Sequence, residues 1–449
     1  MTAIASPPPL HRHPSLTSSQ DQARQRYLST PDAEKYAAID RVLDRRGGRT
    51  HEAFVGGQET KEFLRKTCKI LVIGAGGLGC EILQNLALMG FRDIHVIDMD
   101  TIDISNLNRQ FLFREADVGK AKSIVAAEFV MKRVPGVKVT PYYGKIQDHD
   151  EAYYKSFNMI ITGLDSVEAR RWINATLVGM VDEDDPESLK PLIDGGTEGF
   201  KGQARVILPT MSACYECSMD MLTPPTVFPI CTIANTPRLP EHCIEWASVL
   251  EWPKAFKDKK LDNDDPDHIE WLYQKAADRA KQYGIEGVTW SLTQGVVKNI
   301  IPAIASTNAI IAAACCNEAF KLATTSAPSL DNYTMYVGND SIYAFTFKHE
   351  KNPECPVCGG ETVDLKVKKG TKVESFIEML TENQRFQIKK PSISFGSGQP
   401  LFWQAPPQFY EQTKHNLEKD LDELIASGDE ITVTDKALPF SLDLRIEFE

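Results

Sequence analysis

Apolar residues fall into two kinds of pattern along this chain. From Lys69 to Ile73 they form a short unbroken run, suited to a strand buried on both faces of a parallel sheet. Glycines follow at Gly74, Gly76, Gly77 and Gly79; the spacing then predicts a helix over Glu81 to Met89 and a second strand over Ile94 to Ile97, with Asp98 at its end. Met159 to Asp165 is again an apolar strand closing on a carboxylate, with a helix predicted over Ser166 to Asn174. This alternation of strands and helices predicts an α/β fold. Ile300 to Cys316 approaches membrane-spanning length, but Pro302, Ser306, Thr307 and Asn308 interrupt it, so a helix buried in the sheet domain is predicted. After Thr362 the pattern predicts a short helix at Phe376 to Leu380, a strand at Phe386 to Phe395, and a helix face bearing Leu417, Leu421 and Leu424. A last strand has Phe440, Leu442, Leu444, Ile446 and Phe448 alternating with polar residues, which completes a small mixed unit.

The glycine segment places a backbone close to phosphate, with a helix N-terminus facing the same anion. Asp98, at the end of the second strand, stands where a ribose hydroxyl is usually caught. Alone these features fit a dinucleotide. The hexapeptide Ser105-Asn106-Leu107-Asn108-Arg109-Gln110 and the following Lys120 and Lys122 change that reading, because cations and amides beyond the ribose acid suit a triphosphate. ATP therefore fits better than NAD. A Walker pattern is absent, since Gly119-Lys120 lacks the upstream glycine. Asp165, at the carboxyl edge of the sheet, is placed to hold magnesium; the alternative is that it caps the next helix.

Composition changes the picture only in part. The 449 residues exceed one core, and an apolar fraction of 42% with 25% charged describes an ordinary globular protein of two or three domains. A net charge of -12 argues against nucleic acid as main partner. No secretory signal is visible: Pro7-Pro8-Pro9 and the serines from Ser15 to Ser19 read as a disordered tail. Ten cysteines without such a signal point to thiol or metal chemistry. Cys214 and Cys217, with Cys355 and Cys358, are two C-x-x-C half-sites of a four-thiolate zinc centre; the other reading is two unrelated pairs, one of them redox-active. Cys231 follows a proline-framed approach from Thr223 to Pro229 and precedes a helix predicted from Ile233, where a thiol is activated. Cys243 adjoins His242, and the residues alone do not choose between the two. The acidic runs Asp182 to Asp185 and Asp262 to Asp267 read as solvated loops.

Gly74 to Gly79, Asp98, Ser105 to Gln110, Lys122 and Asp165 together resemble the adenylation domain shared by ThiF-type sulfur-carrier activators and the activating enzymes of ubiquitin-like proteins. The resemblance implies that MgATP adenylates the C-terminal glycine of a small β-grasp protein. It implies that Asp98 takes the ribose, that Asn106, Arg109, Gln110 and Lys122 contact phosphates, and that Asp165 holds magnesium. Phe228-Pro229-Ile230-Cys231-Thr232-Ile233 resembles the catalytic-cysteine segment of the eukaryotic activators, which makes Cys231 the thioester nucleophile. Ile193 to Val206 and Ala234 to Trp246 are most similar to the catalytic subunits of the neddylation branch; SUMO or ubiquitin activation is the alternative.

The implied architecture is a Rossmann-like adenylation domain with an inserted catalytic-cysteine domain and a C-terminal ubiquitin-fold domain that recruits a conjugating enzyme. Its expected segments are a disordered or partner-binding tail over 1–45, adenylation over 46–210 and 291–361, the cysteine domain over 211–290 and the ubiquitin fold over 362–449. A cytoplasmic and nuclear location is expected, without membrane contact. One departure stands out. Sulfur-carrier activators carry an arginine-tyrosine-x-arginine-glutamine segment upstream of the glycines, and none of Arg41, Arg45, Arg46 or Arg49 stands in that pattern. A related regulatory subunit is therefore expected to supply the arginine in a heterodimer. More remote readings are a nicotinamide-dependent oxidoreductase, which leaves Arg109 and Lys122 unexplained, and a non-catalytic zinc-stapled scaffold that binds a ubiquitin-like protein.

Overall fold

The computed structural model describes residues 22, 25, 26 and 29–449, except 49, 53, 183, 222–229, 258, 260, 263–264, 298–302, 328–329, 360–361, 384–385, 387, 396–398, 405–406, 436–437 and 439, and without the side chains of 33, 220, 230–232, 407 and 408. The serines and prolines of the N-terminal tail, Pro229 and its upstream prolines, and the Cys231 side chain lie outside the described residues.

Two compact units form, one from residues up to Asp220 together with Ile304–Glu449, the other Met221–Ala303. The first contains an eight-stranded sheet of β1 (Lys69–Ile73), β2 (Asp93–Asp98), β3 (Lys138–Tyr143), β4 (Met159–Thr162), β5 (Leu192–Glu198), β6 (Lys201–Ile207), β7 (Tyr333–Val337) and β8 (Tyr343–Phe347). Their order is β3-β2-β1-β4-β5-β6-β7-β8. The five strands from β3 to β5 run parallel, and β6, β7 and β8 continue the sheet antiparallel. Strand order reverses between β1 and β4, because the chain winds outward through β2 and β3 before returning. Ligands of open α/β sheets bind in the crevice at such a switch point, beyond the carboxyl ends of the strands.

Ile70, Leu71, Val72 and Ile73 are buried, as a strand covered on both faces requires. The helix after them spans Gly77–Leu88, starting four residues before the Glu81 that periodicity marks. Its first turn, Gly77-Leu78-Gly79-Cys80, is half glycine, which carries no apolar period. The chain returns from the second unit as the helix Ala305–Thr324, whose Asn308, Ile311, Ala312, Cys315, Cys316 and Ala319 are buried. It packs on β5, β6 and the Gly77–Leu88 helix, within the sheet unit as the sequence predicts, but it runs over Ala305–Thr324 and not Ile300 to Cys316. Among the described residues no helix is long and apolar enough to cross a membrane.

The tail departs from expectation at its end. Asp32–Lys35 and Ala37–Leu43 are helical, Tyr36 and Leu43 are buried, and Asp40 pairs with Arg65. Two apolar side chains and a buried ion pair are enough to dock this stretch against the sheet unit.

A five-stranded sheet closes the chain, from β9 (Val363–Val367), β10 (Ser392–Phe395), β11 (Pro400–Phe402), β12 (Glu430–Thr434) and β13 (Leu442–Phe448), in the order β11-β10-β12-β13-β9. The helix Val373–Glu382 buries Val373, Phe376 and Leu380 against it. Two expectations need correction here. The Phe386–Phe395 strand is confined to Ser392–Phe395, because the Lys389 and Lys390 amides turn to the Asp435 carboxylate and Pro391 has no amide to give a ladder. Leu417 lies outside the Leu421–Leu424 helix, with a 3-10 turn at Lys414–Asn416 before it, so the three leucines share no single helix.

The Met221–Ala303 unit is helical, around Cys243, Ile244, Ala247, Trp252, Leu272, Ala276 and Ala280. It occupies 221–303, whereas the sequence places an insert at 211–290. The second acidic run is more than a loop: Asp265 caps the Pro266–Tyr283 helix by accepting from the Asp267 amide.

Candidate functional site

Gly74 adopts φ of 100°, and a Cβ there would lie 2.7 Å from the Gly163 carbonyl oxygen. The Gly74 amide donates to Ile97 O on β2 and the Gly163 amide to Ile73 O on β1, so the loops after β1 and β4 are tied together across the switch point. A Cβ on Gly77 would collide with the Asn308 amide, and one on Gly79 with the Gly74 carbonyl. Backbone therefore requires glycine at Gly74 and Gly79, whereas at Gly77 the Asn308 amide, bonded to Thr197, would have to move. Gly76 differs: the nearest atom to a Cβ there is Gln110 Nε2 at 3.9 Å, so its side of the loop is open.

Asp98 accepts from the Ala75 amide at 2.6 Å and the Asp100 amide at 2.8 Å. Burial raises its pKa, and the Ala75 amide opposes that rise. The carboxylate thus braces the glycine loop while keeping lone pairs for a hydroxyl donor. Lys122, at the start of the Lys122–Arg133 helix, is buried and pairs with Asp100 at 2.8 Å. Asn106 Oδ1 accepts from the Asp103 amide, and Arg109 donates to Ser105 O and Asn108 Oδ1. Gln110 is 3% exposed, and its Oε1 has no partner among the described residues. Such a buried acceptor calls for a donor.

Asp165 follows β4, and its side chain is exposed with no protein partner among the described residues. It does not cap the next helix. Ser166 does so, accepting from the Ala169 amide, and the helix runs Val167–Gly179. The turn holding Asp165 is fixed by Arg170, which donates to Leu164 O at 2.6 Å, to Gly195 O at 2.9 Å and to Asp194 at 3.0 Å. Asp194 also accepts from Thr162 and pairs with Arg205. Sequence reasoning missed Asp194, Arg170 and Asn308; polar Thr162 and Asp194 within otherwise apolar strands were the available signal.

Cys214, Cys217, Cys355 and Cys358 come together, all buried, with every sulfur within 4.8 Å of the others. Individual separations are 3.9 Å for Cys214–Cys217, 3.6 Å for Cys214–Cys355 and 3.4 Å for Cys217–Cys358. A disulfide needs about 2.05 Å, whereas the edges of a tetrahedron with metal–sulfur bonds of about 2.3 Å are ~3.8 Å. The set is compatible with zinc. Gly359 donates to Cys355 O at 2.8 Å, and a Cβ there would lie 2.5 Å from that oxygen, so the knuckle needs its glycine. Donation from neighbouring thiols pulls Cys217 and Cys355 below the ordinary thiol range, while Cys214 and Cys358 are pushed up.

In the helical unit Cys231 belongs to the short helix Ile230–Asn235. Cys243 is fully buried, and burial raises its pKa, which makes it a poor nucleophile. Of the upstream arginines, Arg41 and Arg45 are exposed, Arg46 donates to Glu52 O, and Arg49 lies outside the described residues.

Residues 50–357 match the ThiF family, and residues 366–448 match the E2 binding domain. The NEDD8-activating enzyme E1 catalytic subunit of Dictyostelium discoideum is 55% identical over 399 residues, 86% of this chain and 89% of that one. The chain belongs to the ThiF family, among the NEDD8-activating enzyme E1 catalytic subunits. The Drosophila melanogaster counterpart is 46% identical over 430 residues, 93% of this chain and 96% of that one. The SUMO-activating enzyme subunit 2 of Dictyostelium discoideum is 43% identical over 208 residues, only 46% of this chain and 30% of that one. Family membership brings ATP-dependent adenylation to the domain within residues 50–357 and conjugating-enzyme binding to the five-stranded domain.

Proposed function

We propose that the chain activates NEDD8 in two chemical steps and passes it on in a third. First, a carboxylate oxygen of the modifier's C-terminal glycine attacks the α-phosphorus of ATP, and pyrophosphate leaves. Gly74–Gly79 lets the backbone lie against the phosphates, Asp98 accepts from the ribose, and Gln110 Oε1 awaits a donor. Arg109 and Lys122 neutralise phosphate charge, Lys122 giving up part of its pairing with Asp100, and Asn106 orients them. Magnesium held by Asp165 would supply charge neutralisation on the departing pyrophosphate. Second, the Cys231 thiolate attacks the acyl carbon; the carbon–sulfur bond forms, the bond to AMP breaks, and AMP leaves. Third, a conjugating-enzyme thiolate at the five-stranded domain takes the acyl group and returns Cys231 to its thiolate.

Zinc at Cys214, Cys217, Cys355 and Cys358 would be structural, closed by four sulfurs with no open position. It would tie the segment just before Met221 to the end of the adenylation sheet. A regulatory subunit would supply the arginine that Arg41, Arg45 and Arg46 do not place in the upstream pattern.

The observation that carries this reading is the meeting, at one switch point, of the tied glycine loop, Asp98 and an Asp165 carboxylate that Ser166 relieves of capping. Incubating the chain, a related adenylation-like subunit and MgATP with a panel of ubiquitin-like proteins tests it. A reductant-sensitive adduct is expected with NEDD8, and little pyrophosphate exchange when the second subunit is omitted. An adduct with SUMO or ubiquitin in place of NEDD8 would overturn the modifier assignment.

A further inference from the structure

Arg279 lies on the Pro266–Tyr283 helix and is 7% exposed. One of its guanidinium nitrogens donates to Ile233 O at 2.8 Å and Ala234 O at 2.6 Å. The guanidinium carbon sits 4.1 Å from the Trp246 ring centre and 5.1 Å from that of Tyr283. Both carbonyls belong to the last turn of the Ile230–Asn235 helix, where no intrahelical amide reaches them. A cation there is favourable for the helix dipole as well.

A helix of six residues has no stability of its own. Its position must come from what holds it: Ile233, 1% exposed, the helix's packing on Pro240–Glu245 and Trp246–Glu251, and the two carbonyl bonds, which are the polar part of that anchoring among the described residues. Ala234 is three residues beyond Cys231, about 4.5 Å along a helix axis. Arg279 thus grips the far end of the turn that carries the nucleophile.

We propose that Arg279 is a positioning residue for thioester formation: by holding the Ile233 and Ala234 carbonyls it sets where the Cys231 segment stands when the adenylate is attacked. The proposal rests on Cys231 being the nucleophile. Lysine keeps the charge and the aliphatic stem, but it cannot lie flat on Trp246 while bonding both carbonyls. Misplacing a reacting group by about an ångström costs roughly 10²-fold in rate.

The test uses the full chain with its adenylation-like subunit, NEDD8 and MgATP, and reads single-turnover thioester formation beside ATP:pyrophosphate exchange. Arg279→Ala is expected to lower the ratio of thioester rate to exchange rate by roughly 10²-fold, and Arg279→Lys to lower it by less. Thioester formation at the parental ratio in Arg279→Ala overturns the proposal. So does equal loss of both activities in the two variants, which would reduce Arg279 to a general support of the fold. Cys231→Ala run alongside separates the premise: an adduct that survives in that variant sinks the Cys231 assignment, whatever Arg279 does.

Discussion

Replacing Gly79 by alanine adds one methyl group at the point where the glycine loop crosses itself. A Cβ there would stand 2.7 Å from the Gly74 carbonyl carbon, and closer still to its oxygen. Carbon–carbon contact is comfortable from about 3.5 Å, so the loop must retreat by at least about 0.8 Å, and the closer oxygen demands more. It cannot retreat freely, because the Gly74 amide is bonded to Ile97 O and Gly74 itself abuts the Gly163 carbonyl. Overpacking of this kind costs about 1–3 kcal/mol of stability. A shift near an ångström at the phosphates lowers rate by roughly 10²-fold, about 2.7 kcal/mol of barrier. Gly76→Ala is the matched control. Its Cβ would meet nothing nearer than 3.9 Å, at an ordinary φ of -76°, so stability should hold. The added methyl nonetheless enters the open side of the loop, and exchange should fall because phosphate loses its close approach. Thermal melts and ATP:pyrophosphate exchange read both variants. Parental exchange in Gly79→Ala, or parental exchange in Gly76→Ala with nucleotide affinity intact, would refute the claim that phosphates pass over this loop.

Asp165→Ala should lower pyrophosphate exchange by roughly 10²-fold or more, as removal of one electrostatic stabiliser does; near-parental exchange would remove Asp165 from the nucleotide site. Metal analysis should find one zinc per chain, with Cys355→Ser lowering both occupancy and melting temperature, since structural zinc contributes an apparent ~10–16 kcal/mol in small peptide sites; a metal-free or disulfide-linked cluster would contradict it. His95, between β1 and β3, is held down to about 4, chiefly by burial and then by Lys69. An unfolded histidine titrates near 6.5, so the folded chain takes up its proton later, and stability is fully present above that pH and falls toward pH 4. His95→Gln should flatten this part of the stability profile, and an unchanged slope would remove His95 as its source.

The parts of the fold that rest on local pattern were legible. β1, β2 and β4 are apolar runs, the first closed by glycine and the other two by acids, and β13 alternates in strand period, because each of these signals sits in adjacent residues. Strand order did not show in the sequence, since no residue of β1 announces that its other neighbour is β4, where Leu71 lies opposite Ile160, 89 residues onward. The start of the Gly77–Leu88 helix was hidden for a different reason: glycines have no apolar face to count. Asn308 and Arg170 were invisible as site residues because their roles depend on long-range approach, to Gly77 and Thr197 in one case and to Leu164, Asp194 and Gly195 in the other. Residues alone left Cys231 and Cys243 level. Burial of Cys243 in the helical core supports Cys231, a distinction that periodicity could not make from Pro240-Glu241-His242-Cys243.

The central claim is that one thiol carries the activated modifier, and the most direct measurement identifies the atom to which it is bound. The chain, its adenylation-like subunit, NEDD8 and MgATP are quenched without reductant, digested and mapped by mass spectrometry. The account predicts the C-terminal glycine of NEDD8 linked through a thioester to Cys231, released by reductant and absent in Cys231→Ala. A modifier linked to Cys243, or adenylate formed with no thioester on the chain, would contradict it.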